Sequence, residues 1–289
     1  MKTPRSIEPL VRDGLVDKVI RSLKSGKEAA VYVVVSEGEV RCAKVYKEAD
    51  KRSFHQQAQY EEGRKVRNSR RARAMAKRTR YGRREQEAAW QSAEVDALFR
   101  LYTAGVRVPK PYGFVEGVLL MELVVDDNGD VAPRLNDLEL TGAQARAYHR
   151  MLIAQVVRML CAGLVHGDLS EYNVLVGSDG PVIIDLPQVV DAAGNNNACR
   201  MLERDVDNLT AYFGRYAPEL RATDYGKEIW SLYESGALHP ETELTGRFER
   251  SMTPADVASV LRDIEDARDE AEKRRRNRFT SVVEIDGSY

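Results

Sequence analysis

Asp168 and Asn173 stand five residues apart in His166-Gly167-Asp168-Leu169-Ser170-Glu171-Tyr172-Asn173, a polar loop with apolar segments on either side. Before the loop, Ala147, Met151, Ile153, Ala154, Val157, Leu160 and Cys161 recur at helical spacing; Thr141 can cap that helix and Gly163 can end it. After the loop, Val174–Val176 and Val182–Ile184 read as short strands split by a Ser178-Asp179-Gly180 turn, and the second strand runs directly into Asp185. A lone loop aspartate is far more often a turn or cap residue than a functional one. Helix, loop, hairpin and a second aspartate in this order are a much narrower pattern.

The physical use of such a pattern is phosphoryl transfer. That reaction needs an acceptor held in line and divalent cations to neutralise charge spreading over phosphate oxygens. Asp168 is placed to face the acceptor oxygen, while Asn173 and Asp185 offer hard oxygen ligands of the kind Mg²⁺ takes beside phosphates and water. With an ordinary pKa of about 4, Asp168 is a weak base, so orientation of the acceptor is its main contribution.

Lys44 checks this independently. It lies in Cys42-Ala43-Lys44-Val45-Tyr46, the third strand of a meander. Val19–Leu23, Val31–Val35 and Val40–Tyr46 are the strands, separated by Ser25-Gly26-Lys27 and by Glu37-Gly38-Glu39. A lysine there can grip the phosphates, although most lysines are simply solvated. Glu94, on the next helix, is its expected ion-pair partner, ahead of Glu87 and Asp96. Two further strands are expected around Gly117, and Asp126 to Asp130 marks a boundary between a sheet-rich part and a helical part.

Net charge is only −1, but it is segregated: eleven Lys or Arg and no acidic residue lie between Arg64 and Arg84. Such a run is most often a solvated loop, yet its uncompensated charge would bind a polyanion with a steep salt dependence. No apolar run approaches the roughly 18 residues that span a bilayer, and the first residues lack a signal sequence, so a cytoplasmic location is expected. Cys42, Cys161 and Cys199 are too few and too scattered for a disulfide framework or zinc site, and Cys42 and Cys161 read as core residues.

Ser25-Gly26-Lys27-Glu28-Ala29-Ala30-Val31-Tyr32, Leu164 to Asn173 and Ile183-Ile184-Asp185-Leu186-Pro187-Gln188 together resemble the RIO family of atypical serine/threonine protein kinases, the first RIO subfamily above all. The likeness extends from about Ile7 to Phe213, with Glu94, Pro109-Lys110-Pro111 and Met121-Glu122-Leu123-Val124 in register. It implies an α+β, two-lobed protein-kinase-like fold. An antiparallel N-lobe sheet would occupy residues 1–124, with a basic flexible insertion at about 47–86. A shortened, mainly helical C-lobe would occupy residues 125–289.

The resemblance also implies ATP with Mg²⁺ or Mn²⁺, serine autophosphorylation or ATP hydrolysis, and a phospho-aspartate at Asp185. It makes Asp168 the catalytic aspartate, Asn173 and Asp185 the metal ligands, and Lys44 the phosphate lysine. Ser25, Gly26, Lys27, Glu28 and Ala29 would form the nucleotide loop, and the Glu122 and Val124 backbone would meet the adenine. A protein serine or the chain itself would be the acceptor, and ribosomal RNA a partner for residues 64–84. Ala30, Gly167 and Leu186-Pro187 depart from the family pattern, and Gly167 moves the loop toward the His-Gly-Asp of small-molecule kinases. Two alternatives stay open: a small-molecule kinase resembling the aminoglycoside and choline phosphotransferases, and an ATP-gated RNA-binding switch.

Overall fold

The β-branched run of residues 29–36 sits in the middle of the sheet that organises the first half of the chain. The computed structural model describes residues 3–26, 29–47 and 93–248. All of these belong to one compact unit, Met1–Phe248, while Glu249–Tyr289 form a second unit outside the described residues. The basic run 64–84, Lys27, Glu28 and Glu87 likewise lie outside them, and so do residues 255–274, where the sequence reads as a further helix.

A short helix α1 (Glu8–Arg12) precedes β1 (Lys18–Ser25), β2 (Ala29–Ser36) and β3 (Glu39–Tyr46). Residues 93–103 are helical and are called α2 here. Next come β4 (Pro111–Val115) and β5 (Val118–Glu122), giving a five-stranded antiparallel sheet in the order β1-β2-β3-β5-β4. The β2–β3 turn has both central residues left-handed, Glu37 at φ 54° and Gly38 at φ 78°. The β4–β5 turn repeats this with Glu116 at 48° and Gly117 at 76°. Two left-handed residues match the twist of paired strands, which is why glycine takes one of the positions in each.

The helical part follows, with α3 (Gly142–Cys161), β6 (Leu164–Val165), a 3₁₀ turn at Glu171–Asn173, β7 (Val174–Gly177), β8 (Gly180–Ile183), β9 (Val190–Asp191), α4 (Ala198–Phe213) and α5 (Tyr225–Glu234). Thr141 starts α3 with a reciprocal cap: its hydroxyl accepts from the Gln144 N–H, and the Gln144 side-chain oxygen accepts from the Thr141 N–H at 3.0 Å. Gly163, left-handed at φ 74°, follows the helix end.

Among the described residues two large apolar clusters, and a small third one at Val124, Ala132 and Val182, hold the unit together. Ile7, Leu10, Val16, Val34, Ala43, Val45, Val118 and Leu120 pack α1 against one face of the sheet. The larger cluster joins Leu98 and Leu101 of α2 to Leu152, Val156 and Leu160 of α3 and to Leu202, Leu209 and Phe213 of α4. Ala43 and Val45 belong to the first cluster, so strand alternation turns Lys44 to the opposite face. Cys42 is buried, as expected, but Cys161 is exposed, because the last turn of α3 rotates it off the apolar stripe. Among the described residues no helix is long and apolar enough to cross a membrane.

Candidate active site

Lys44 projects from β3 toward α2, where its Nζ lies 2.5 Å from Glu94 Oε1. Only 15% of the lysine side chain and 6% of the glutamate side chain are exposed, so the pair is a buried one rather than a surface contact. The same ammonium is 3.6 Å from Asp185 Oδ1. Glu94 is therefore the partner of Lys44; Asp96 points to solvent, and Glu87 is outside the described residues. Asp185 leaves β8 at φ 67°, a left-handed conformation that costs a non-glycine residue about 1 kcal/mol or more. That turn brings its carboxylate to the lysine.

The loop 166–173 is held from several directions. The Asn173 side-chain amide donates to the Asp168 backbone carbonyl at 2.8 Å, while the Asn173 backbone carbonyl accepts the Ile184 N–H at 2.9 Å. His166 donates through Nε2 to the Ile184 carbonyl at 3.2 Å and accepts the Asp168 N–H at Nδ1, 3.3 Å away. An imidazole that donates at one nitrogen and accepts at the other is neutral. Burial agrees, pushing its pKa down to about 4 against the Ile184 carbonyl and the Asp185 charge.

α4 supplies a second grip that neither motif nor spacing announces. Asp205 accepts from the N–H groups of Gly167 at 2.7 Å and Leu169 at 3.0 Å, the two residues flanking Asp168. Asn208 donates to the Leu169 carbonyl at 3.1 Å, and Arg204 donates to the Gly167 carbonyl. Gly167 can present its peptide groups this way because it is left-handed, at φ 81°. The sequence signal for Asp205 is an acid on an apolar helix stripe, between Met201–Leu202 and Val206–Leu209.

Asp168 itself opens to solvent, and its Oδ2 accepts from Gln188 Nε2 at 3.2 Å and from Asn173 Nδ2 at 3.5 Å. Partial burial raises its pKa and Asp185 adds to the rise; the Arg204 cation and the Asn173 amide pull it down. Gln188 is a second residue the motif did not single out.

The remaining expected residues are arranged as follows. The turn after β1 closes through the Gly26 N–H on the Ala29 carbonyl at 2.9 Å, and Lys47 Nζ donates to Ser25 Oγ at 2.9 Å and to the Gly26 carbonyl at 2.5 Å. Glu122 ends β5, and its carboxylate takes both Arg107 guanidinium nitrogens at 2.9 Å and the Lys110 N–H at 3.0 Å. Val124 is buried, and its carbonyl accepts the Ala132 N–H at 3.0 Å. Among the described residues no cluster of three or more His, Cys, Asp or Glu forms a metal cage. The oxygen donors at Asn173 and Asp185 suit a hard cation that keeps most of its ligands from water and phosphate.

This geometry meets the comparisons with known proteins. The RIO domain model matches residues 30–226. The RIO-type serine/threonine-protein kinase Rio1 of Haloferax volcanii is 35% identical over 73% of this chain and 68% of its own length. The serine/threonine-protein kinases RIO1 of Chaetomium thermophilum and Homo sapiens are 31% and 30% identical over 71% of this chain, but the match covers only 41% and 34% of theirs. The chain thus spans about two thirds of the archaeal relative and less than half of the fungal and human ones. Among solved structures, the Rio2 kinase–ADP/Mg²⁺–phosphoaspartate complex of Chaetomium thermophilum superposes with a TM-score of 0.51 at 23% identity, covering 73% of this chain and 59% of that one, and shares the kinase-like fold. With a lysine–glutamate pair, a clamped aspartate loop and a domain match over most of its described residues, the chain belongs to the RIO family of serine/threonine protein kinases.

Proposed function

We propose that the chain transfers the γ-phosphoryl group of ATP to a protein serine, its own included, at a site formed by Lys44, Asp168, Asn173 and Asp185. The convergence of Lys44, Glu94 and Asp185 carries this reading, since a buried ammonium shared by two carboxylates beside a solvent-open aspartate is an arrangement suited to a charged ligand. Lys44 would bind the α- and β-phosphates, with Glu94 fixing its position. Asn173 and Asp185 would hold Mg²⁺, whose charge offsets that on the phosphates. Asp168 orients the acceptor hydroxyl and takes up its proton late in the transfer.

Ser25 to Ala29 would cover the phosphates, and the backbone at Glu122 and Val124 would line the adenine. The division into an N-lobe ending at 124 and a C-lobe from 125 belongs to the same reading, as does Mn²⁺ in place of Mg²⁺. A phospho-aspartate at Asp185 is supported by the phosphoaspartate of the Rio2 complex and by the exposure of the carboxylate. RNA docking through residues 64–84 and a cytoplasmic location rest on the sequence alone.

The test is incubation of the purified chain with γ-labelled ATP and Mg²⁺. Acid-stable label on serine is expected, and it should vanish in Asp168→Asn. A bound ATP analogue located away from Lys44 and Asp185, or Lys44→Ala and Asp185→Ala proteins that hold it as tightly as the parent, would overturn the assignment.

A further inference from the structure

Val106, Arg107 and Val108 form a three-residue turn between α2 and β4, closed by the Val108 N–H on the Val106 carbonyl at 2.9 Å. Both valines are buried, so the turn is pinned and carries Arg107 at its tip. The polar groups of Arg107 reach three other elements. Its backbone N–H donates to Oε1 of Gln155, a buried side chain of α3, at 2.8 Å. Its backbone carbonyl accepts the Ile183 N–H at 2.9 Å, at the end of β8 and two residues before Asp185. Its guanidinium takes both carboxylate oxygens of Glu122, the last residue of β5, at 2.9 Å each. An exposed ion pair would fix little. Here 34% of the arginine side chain and 28% of the glutamate side chain are exposed, and the two-pronged contact sets direction as well as distance. Burial works against the Glu122 charge, but the Arg107 and Lys110 hydrogen bonds outweigh it and hold the carboxyl below its usual range. Residue 107 thus makes a short, directed link from the end of β5 to the strand that leads into Asp185.

We propose that Arg107 is a positioning residue that couples nucleotide binding to Mg²⁺ binding, by holding the end of β5 in register with the Asp185 end of β8. The inference rests on the reading that the backbone at Glu122 and Val124 meets the adenine and that Asp185 holds the metal. A base seated against residues 122–124 fixes Glu122. Through the guanidinium and the Arg107 backbone, Glu122 then fixes Ile183, and with it the carboxylate two residues further on. The converse also holds: a cation that draws in Asp185 steadies the side of the site that receives the base. By linkage the two effects are equal in size. Arg107 touches neither ligand in this scheme. It acts through Glu122 and Ile183, as the outer partners of a metal ligand commonly do.

The experiment measures the dissociation constant of ADP with and without Mg²⁺ by calorimetry, alongside the melting temperature. It uses the full chain, Arg107→Met, Glu122→Gln and the double variant. Methionine keeps much of the arginine length without the fork, and glutamine keeps the glutamate outline without its second acceptor. The tightening of ADP by Mg²⁺, read as the ratio of the two constants, should fall about fivefold in each single variant. The double variant should fall no further, because the same contact is lost in all three. A residue that merely stabilises the fold would lower the melting temperature and leave this ratio at the parental value. An unchanged ratio in Arg107→Met therefore overturns the proposal, and so does a double variant whose loss is the product of the two single losses. Should Arg107→Met fail to fold, Glu122→Gln decides alone, and a parental ratio there overturns the proposal equally. A parent whose ADP affinity ignores Mg²⁺, as Asp185→Ala should, overturns the reading of Asp185 as a metal ligand instead, and the coupling with it.

Discussion

Lys44 and Glu94, fifty positions apart in the chain, meet in an ion pair of 2.5 Å that is almost wholly withdrawn from water. The pair joins β3 to α2, and Asp185 at 3.6 Å extends it to the end of β8. Lys44→Met strands Glu94 as a buried charge, and breaking a buried pair from one side costs roughly 3–5 kcal/mol. Loss of a cation aimed at developing phosphate charge should also lower turnover on the order of 10²–10³-fold. The double variant Lys44→Met/Glu94→Leu separates the two effects: thermal stability should return toward the parent, and activity should not. If activity returned with stability, Lys44 would be a structural residue only.

Asp168→Asn keeps the hydrogen-bonding outline of the loop and removes the charge. Turnover should drop roughly 10²–10⁴-fold, the range of acid–base groups, with little change in ADP affinity. Burial and Asp185 hold the Asp168 carboxyl above the ordinary aspartate value, and Arg204 opposes them. The group acts ionised, so its raised pKa moves the acid limb of the rate profile upward. Arg204→Gln removes an opposing cation and should move that limb further up. A limb that stays in place or moves down would show that Arg204 exerts no field on Asp168.

The sheet was legible because β-branched runs and Glu-Gly turns are local signals, although β2 emerged three residues longer and β3 one residue longer than the alternation indicated. The Lys44–Glu94 pair was legible through the order of elements, which places a strand lysine beside the following helix. Asp205 and Gln188 were not. Asp205 reaches Gly167 across 38 positions, and Glu203-Arg204-Asp205 reads locally as an exposed charged turn. Only the register of the α4 stripe, which needs the apolar face to be fixed first, turns Asp205 inward. Cys161 failed for the converse reason: it was read as the last member of the α3 stripe, but the buried stripe ends at Leu160 and the next residue turns outward.

Asp205 offers a pH test of the α4 clamp. Burial pushes its carboxyl up to about 7, with Asp168 adding to the rise and the Gly167 and Leu169 N–H groups and Arg204 opposing it. In the unfolded chain it titrates near about 4. Between these values the folded state holds a proton that the unfolded state has lost, so this group's contribution to stability falls as pH rises through the window and levels off above it. Asp205→Asn removes that slope, and its melting temperature relative to the parent should climb from pH 5 to pH 7. Turnover should fall by about tenfold or more, because an amide NH₂ now faces one of the two loop N–H groups. Parallel melting curves against pH would rule out the titration, and unaltered turnover would rule out the clamp.

His149 works in the opposite sense and far from the site. It is buried on α3, with Nε2 3.2 Å from Thr210 Oγ1 and the Phe213 and Tyr225 rings at 5.7 and 5.6 Å. Burial lowers its pKa to about 4. Below about 6.5 the unfolded chain takes up a proton here that the fold refuses, so stability is lost as pH falls toward 4, at about 1.4 kcal/mol per pH unit for one group. His166, also held down to about 4, adds a second such slope, and the two together outweigh the single opposite slope of Asp205. His149→Leu should therefore lose some stability at pH 8, where the Thr210 contact is gone, yet lose less on going from pH 6.5 to 4.5. Denaturant midpoints across that range decide it: a variant whose acid decline is as steep as the parent's would mean that His149 is already protonated within the fold.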